Sequence, residues 1–402
     1  MKATMWSALI CASVGMSGAA AADDLSINGF GTLGAVRTDS DDAQFVRYNQ
    51  AKGVTTRAGI GTDTNLGLQA DYRIGARLSG TVQLLTRRST GTSFTTELSW
   101  AFLKYRLSDD FNLRVGRVAL PIFMVSDFQN VGYANTMMRP PIELYSQAPI
   151  ENADGVDLLY QHSFGDTTLS GQLSSGVSRG KLFTPVGGGA VVNYRAPVAA
   201  LSVSAEHGPL TLRLSHTRIR MGSDNFGALN NTVAGVTAAG FAQLGRDLTI
   251  VGGKRVAFSA LGMTFNHNML VLQAEYGWRR GLESSFFSET NAWYAMAGYR
   301  VGKLLPYYAH ASLTQSGSSV VLPAGFPGAG PLHNAVAVGF LTAAEQRSDL
   351  VGLRWDFAAK ASLKVQLDRV KPLKKSGSLI FGPAAGLSKP VTAVGVSIDY
   401  VF

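Results

Sequence analysis

Residues 65–74 read Asn-Leu-Gly-Leu-Gln-Ala-Asp-Tyr-Arg-Ile. One parity holds Leu66, Leu68, Ala70, Tyr72 and Ile74; the other holds Asn65, Gly67, Gln69, Asp71 and Arg73. Successive side chains of a strand point to opposite faces, so this stretch is a strand with one apolar and one wet face. The same period recurs downstream. Leu270, Leu272, Ala274, Tyr276 and Trp278 alternate with Gln273, Glu275 and Arg279. Val351, Leu353, Trp355 and Phe357 alternate with Gly352, Arg354 and Asp356. Leu363, Val365 and Leu367 alternate with Lys364, Gln366 and Asp368.

The connections between such stretches alternate in length. Tight ones fall at Gly75-Ala76, Ser108-Asp109-Asp110, Gly165-Asp166, His207-Gly208-Pro209, Asn266-His267-Asn268, Gly302-Lys303-Leu304 and Ala359-Lys360. Their Gly, Asn and Asp residues suit short hairpin turns. Long ones run over 38–63, 88–94, 118–153, 179–189, 221–255, 281–288, 316–344 and 373–389. Seven tight and eight long connections join sixteen strands. A short-turn side and a long-loop side describe a transmembrane antiparallel β-barrel, with periplasmic turns and extracellular loops. A soluble β-sandwich also alternates, but its strands average five or six residues where these often reach ten.

Composition agrees. Charged residues are 16% of the chain, against the usual quarter for a soluble domain. Yet no apolar run beyond the N-terminus reaches the ~20 residues of a spanning helix. Alternation reconciles the two, because it spreads apolar side chains over one face of every strand. The net charge of +9 is carried by dispersed Lys and Arg, which argues against nucleic acid as a partner.

The chain opens with Met1-Lys2, an apolar stretch from Ala3 to Gly18, and Ala19 to Ala22 before Asp23-Asp24. This pattern predicts a secretory signal peptide over residues 1–22, with the barrel domain over 23–402. Cys11, the only cysteine, falls inside that leader. The first strand, Leu25 to Val36, follows almost at once, which disfavours an autotransporter and a plugged receptor, since each would carry a domain there.

The last strand alternates Val394, Val396, Ile398 and Tyr400 and ends on Phe402. Val396, Ile398, Tyr400 and Phe402 resemble the C-terminal signal read by the outer-membrane assembly machinery. Four more segments carry a wider resemblance: LSINGFGTLG (25–34), DTNLGLQADYRI (63–74), WAFLKYRLSDDFNLRVGRVALP (100–121) and RPPIELYS (139–146). They look like the Gram-negative general porin superfamily. Strand layout extends the likeness over nearly the whole mature chain, while the specific motifs cover its first third and last strand. The resemblance implies a homotrimeric, sixteen-stranded diffusion channel in the bacterial outer membrane, among lipid and lipopolysaccharide, whose third extracellular loop folds into the lumen. The segment 118–153 falls at that loop.

Enzymatic signals are weak. The six histidines, His162, His207, His216, His267, His310 and His333, show no metal-ligand spacing, and no phosphate-cradling loop occurs. No cofactor is expected. A barrel-based outer-membrane hydrolase would need a Ser–His pair. The nearest, Ser215 and His216, are strand neighbours that point to opposite faces. A channel selective for one anionic or hydrophobic solute is the other alternative. The inward parities carry Asp71, Arg73, Glu97, Lys104, Arg106, Arg114, Asp157, Arg213, Glu275, Arg300, Arg354, Asp356, Lys364 and Asp368, which favours a water-filled pore for small polar or charged solutes.

The expected constriction opposes loop acids to wall bases. Asp127, Glu143 and Glu151 lie on the loop, with Asp154 beside it; Arg73, Lys104, Arg106 and Arg114 lie on inward parities of the second, fourth and fifth strands. Opposed charges across a narrow aqueous gap orient polar solutes and set ion preference. Pro121, Pro140, Pro141 and Pro149 restrict the loop. The alternative is a loop that lies outside, its prolines shaping a surface excursion. The sign of the ion preference stays open at this level.

Overall fold

The computed structural model describes residues 24–184, 190–223, 225–317, 320–337, 345–373, 379–381 and 389–402. The expected signal peptide lies outside the described residues. Sixteen strands close into one antiparallel barrel. They are β1 Leu25–Thr38, β2 Asn65–Arg73, β3 Leu78–Arg88 and β4 Phe94–Arg106. β5 Phe111–Ala119, β6 Asn152–Phe164, β7 Thr167–Thr184 and β8 Ala190–His207 follow. The second half is β9 Leu210–Met221, β10 Lys254–His267, β11 Leu270–Gly281 and β12 Thr290–Tyr299. β13 Leu304–Gln315, β14 Gln346–Ala358, β15 Ala361–Pro372 and β16 Val391–Val401 complete it. Each strand pairs with its neighbours in sequence, and β16 returns to β1. All seven expected tight turns join strands.

The polarity of this barrel is inverted. Leu261 and Trp355 face outward, 53% and 44% exposed, while Lys364 and Asp399 face inward at 0%. An apolar belt outside and polar side chains within is what a hydrocarbon surrounding requires. The expected outward residues Tyr276, Tyr400 and Phe402 are exposed on this face as well.

Two irregularities departed from simple counting. A register shift at Gln83/Leu84 places Trp100 opposite Gln83. Gln83 faces inward, where it bonds Gln69, so the bulge turns Trp100 into the lumen although Leu98 points out. The hairpin β7–β8 is also longer than expected, with eighteen residues in each strand. Its pairing to β9 ends at Ile219 with Val198, one residue before Pro197, which has no N–H to continue the ladder.

The long loops carry their own structure. Connection 222–253 holds α1 Gly227–Ala238 and α2 Ala242–Leu248, separated by Gly240 at φ +91°. That left-handed residue, natural for Gly, ends the first helix and separates it from the second. α3, Pro331–Val336, lies in a later loop. Phe226, Leu229, Val236, Leu244, Leu248 and Val336 from these pieces share one apolar cluster. Ala43–Phe45 pairs with Leu379–Phe381 and so ties the first long loop to the last.

Candidate functional site

The loop between β5 and β6, residues 120–151, packs against the inner wall. Its apolar side chains Ile122, Phe123, Val125, Leu144, Tyr145 and Ile150 share a cluster with Ala196, Ala200, Ala260, Ala292, Ala309 and Ala311. Those alanines face inward from β8, β10, β12 and β13. Small wall residues leave the space that the loop's larger side chains fill. Phe123 stacks on Tyr145 at 4.5 Å and meets the edge of Phe258 at 5.2 Å.

Polar anchors hold the loop at three places. On one side, Glu275 of β11 accepts the Met124 N–H (2.8 Å) and the Tyr145 hydroxyl (3.0 Å), and Ser215 donates to the Ile122 carbonyl (2.6 Å). On the other, Lys364 donates to the carbonyls of Gly132 (2.6 Å) and Asn135 (2.7 Å) while pairing with Asp399 at 3.1 Å. Arg354 donates to the carbonyls of Tyr133 and Asn135, 2.8 Å each. Between them, Arg139, only 2% exposed, holds Asp63 through two N–H groups at 2.9 and 2.7 Å and pairs with Asp368. A buried guanidinium is tolerable only when its donors and charge are matched in this way.

The seven expected constriction residues fall into three groups. Glu143 is buried beneath the loop, bonded by Ser348 and by Gln346 (2.6 Å); it is an anchor and not a lining acid. Burial raises its carboxyl above the ordinary range, with those two hydrogen bonds pulling the other way. Glu151 accepts from Tyr48, from Arg87 (2.8 Å) and from Asn130 (3.1 Å). Burial works against its ionised form, but Arg87 and the Tyr48 hydroxyl hold it below its ordinary range. Asp127, with 39% of its side chain exposed, stands 3.9 Å from Arg213. It shares a small gap with Gln83, Trp100 and Asn130.

The wall bases sit elsewhere. Arg114 is closed onto Asp157 and lies 5.0 Å over the Phe102 ring. Arg73 and Lys104 both pair with Ser79, beside the first periplasmic turn, and Arg106 donates to the Ala76 carbonyl within it (3.3 Å). Among the described residues, none of these three makes an ion pair or hydrogen bond with the loop. Asp154 points outward and pairs with Arg117 at 2.7 Å. Ser215 and His216 do take opposite faces: Ser215 bonds the loop, His216 bonds Ser259 at 2.7 Å.

Glu275, Arg354, Lys364 and Asp368 were expected on the inward face but not as anchors of the loop, and Arg139, Arg87 and Tyr48 were not singled out. Arg87 and Tyr48 gather Glu151, and Arg139 bridges Asp63 to Asp368. Arg87 had a signal, since Leu85 and Arg87 share the inward parity of β3. Arg139 had only its place before Pro140-Pro141.

A family model described as Gram-negative porin matches residues 7–318. No curated protein matches. Among solved structures, the anion-selective porin from Comamonas acidovorans is similar at TM-score 0.55 and 16% identity, covering 94% of this chain and 99% of that one. OmpF of Salmonella typhi, solved with daunomycin, is similar at TM-score 0.54 and 14% identity, covering 94% and 97%. OmpT of Vibrio cholerae, in a trimer form, is similar at TM-score 0.55 and 12% identity, covering 94% and 100%. At these identities the likeness is one of fold.

Proposed function

The chain belongs to the Gram-negative porin family and is an outer-membrane channel; from that premise we propose that its lumen is a water-filled path for passive diffusion of small polar or charged solutes. The observation that carries this reading is the anchored loop. Its charged and hydrogen-bonded ties to inward residues of β11, β14 and β15 narrow the barrel from within. The remaining gap is edged by Asp127 and Glu151, with Arg213 3.9 Å from the first and Arg87 2.8 Å from the second, side chains that stabilise water and ions. Single-channel conductance with ion substitution tests it. A loop shortened between Asp127 and Arg139 should conduct more and admit larger sugars in liposome swelling. Wild-type conductance and size cut-off in that variant would remove the loop from the pore.

The outer wall suggests two kinds of neighbour. Near the extracellular ends, outward positions carry Arg218, Arg220, Arg255, Arg347, Arg369 and Lys371. Arg347 stands directly opposite Lys371, and like charges so placed destabilise a ladder unless an anion bridges them. Lipopolysaccharide phosphate would supply that anion. The outward side chains of β2 and β4 carry no charge at all, from Leu66 to Tyr72 and from Phe94 to Tyr105. This arc fits contact with further copies in a homotrimer, which native mass spectrometry in mild detergent tests. Residues 1–22 as a cleaved leader, and Val396, Ile398, Tyr400 and Phe402 as the assembly signal, complete the proposal.

A further inference from the structure

On β2 and β4, just above the first periplasmic turns, the inward side chains Arg73, Lys104 and Arg106 carry only positive charge. Ser79 of β3 pairs with Arg73 of β2 on one flank and with Lys104 of β4 on the other. Lys104 pairs in turn with Arg114 of β5. Arg106 follows two residues below Lys104 on the same face. Adjacent strands lie ~4.8 Å apart, so Arg73 and Lys104 stand about 10 Å apart and Lys104 and Arg114 about 5 Å.

Carboxylates balance several other inward cations. Arg87 holds Glu97 and Glu151, Arg139 holds Asp63 and Asp368, Arg354 holds Asp356, and Lys364 holds Asp399. Arg114 is likewise closed onto Asp157. Among the described residues, no carboxylate makes an ion pair with Arg73, Lys104 or Arg106. Asp71, one step up the same face, is taken by Thr81 (2.6 Å) and Gln69 (2.8 Å). Asp110, in the neighbouring turn, faces His162 at 3.0 Å. Arg73 and Arg106 are exposed and Lys104 is half-buried, so the three charges open into water at the periplasmic mouth.

We propose that this wall of the periplasmic vestibule, Arg73, Lys104 and Arg106, is a binding site for small multivalent oxyanions such as phosphate or a tricarboxylate. The inference rests on the lumen being an aqueous channel. A monovalent anion can engage one of these cations at a time. An oxyanion with two or three charges spans their separation, and guanidinium groups present paired donors that match carboxylate and phosphate oxygens. Because the site lies at one end only, it acts on anions arriving from one side. Its reach is about 10 Å at 0.1 M salt and about 3 Å at 1 M, so its effect belongs to dilute salt.

The test uses the full-length protein in planar bilayers, oriented so that each face is known, in 0.1 M KCl. Citrate or inorganic phosphate is added to one side at a time, and chloride current is recorded. The expected result is block from the periplasmic side at lower concentration than from the extracellular side, vanishing in 1 M KCl. A variant carrying Arg73→Gln, Lys104→Gln and Arg106→Gln should need about tenfold more periplasmic citrate, as removal of three water-exposed charge contacts predicts. Lys104→Arg with Arg106→Lys should keep the sidedness. Heat-modifiable gel migration shows whether each variant is folded. Equal block from both sides, or unchanged block in the triple variant, would overturn the site. Absence of any current in 1 M KCl would instead overturn the aqueous channel, so the two failures are distinct.

Discussion

The ring of Phe402 occupies the space that a side chain on Gly29 would need: a Cβ there would lie 2.1 Å from the ring's Cζ. The two residues also exchange both backbone hydrogen bonds, each 2.9 Å. Tyr400 stands over Gly31 in the same way, 2.5 Å from the position of a Cβ. The seam that closes the barrel is therefore an aromatic–glycine pairing between first and last strands, with the rings laid flat against backbone that carries no side chain.

Gly29→Val should displace that ring and loosen the seam. Overpacking at a fitted contact costs roughly 1–3 kcal/mol. The folded, heat-modifiable fraction should fall in Gly29→Val and in Phe402→Ala, and purified, already folded Phe402→Ala should denature close to wild type. Normal surface levels of a Phe402 deletion would show that assembly does not read this end.

Arg139→Met should leave Asp63 and Asp368 buried without a partner. Breaking one side of a buried ion network costs about 3–5 kcal/mol. The measurable result is a noisier and larger single-channel conductance, together with protease cleavage inside 120–151. A quiet, wild-type trace would mean that the remaining anchors suffice.

Acidity should act on the two ends of the loop in opposite senses. Burial raises Glu143 above its ordinary 4.5. A raised native value contributes stability that is complete below the unfolded value and lost as pH rises through the native one. Glu151 is held low by Arg87 and Tyr48 against the effect of burial. Its contribution is present above the unfolded value and lost as pH falls through the native one. Thermal melts in detergent between pH 3 and 8 check this. Glu143→Gln should gain on wild type as pH rises above about 4.5, and Arg87→Gln should lose its penalty at the acid end.

Asp127→Asn should shift the zero-current potential toward chloride. Its carboxylate, 3.9 Å from Arg213, is the loop acid least enclosed by other groups, and neutralising it leaves Arg213 to set the local sign. Reversal potentials in a tenfold KCl gradient measure the change. An unaltered potential would place Asp127 off the ion path.

The sequence by itself determined the barrel. Alternation such as Leu66 to Ile74 sets which face meets hydrocarbon, because a slip of one residue would turn every side chain to the wrong side. Short Gly, Asn and Asp turns set the strand count, and alternation named many of the inward charges, Glu275, Arg354, Lys364 and Asp368 among them, but not Arg87 or Asp399. Tertiary structure alone decided what those charges do. Arg139 meets acids 76 and 229 residues away in sequence, and Glu143 turns under its own loop to Ser348 instead of lining the gap. Arg73, Lys104 and Arg106 proved to line the wall beside the first periplasmic turn, while the loop is held on β14 and β15 by Arg354 and Lys364. The reason is physical. Strand faces follow from a local period of two, whereas a loop without period is placed by whichever wall residues fit its bulk and satisfy its polar groups across the lumen.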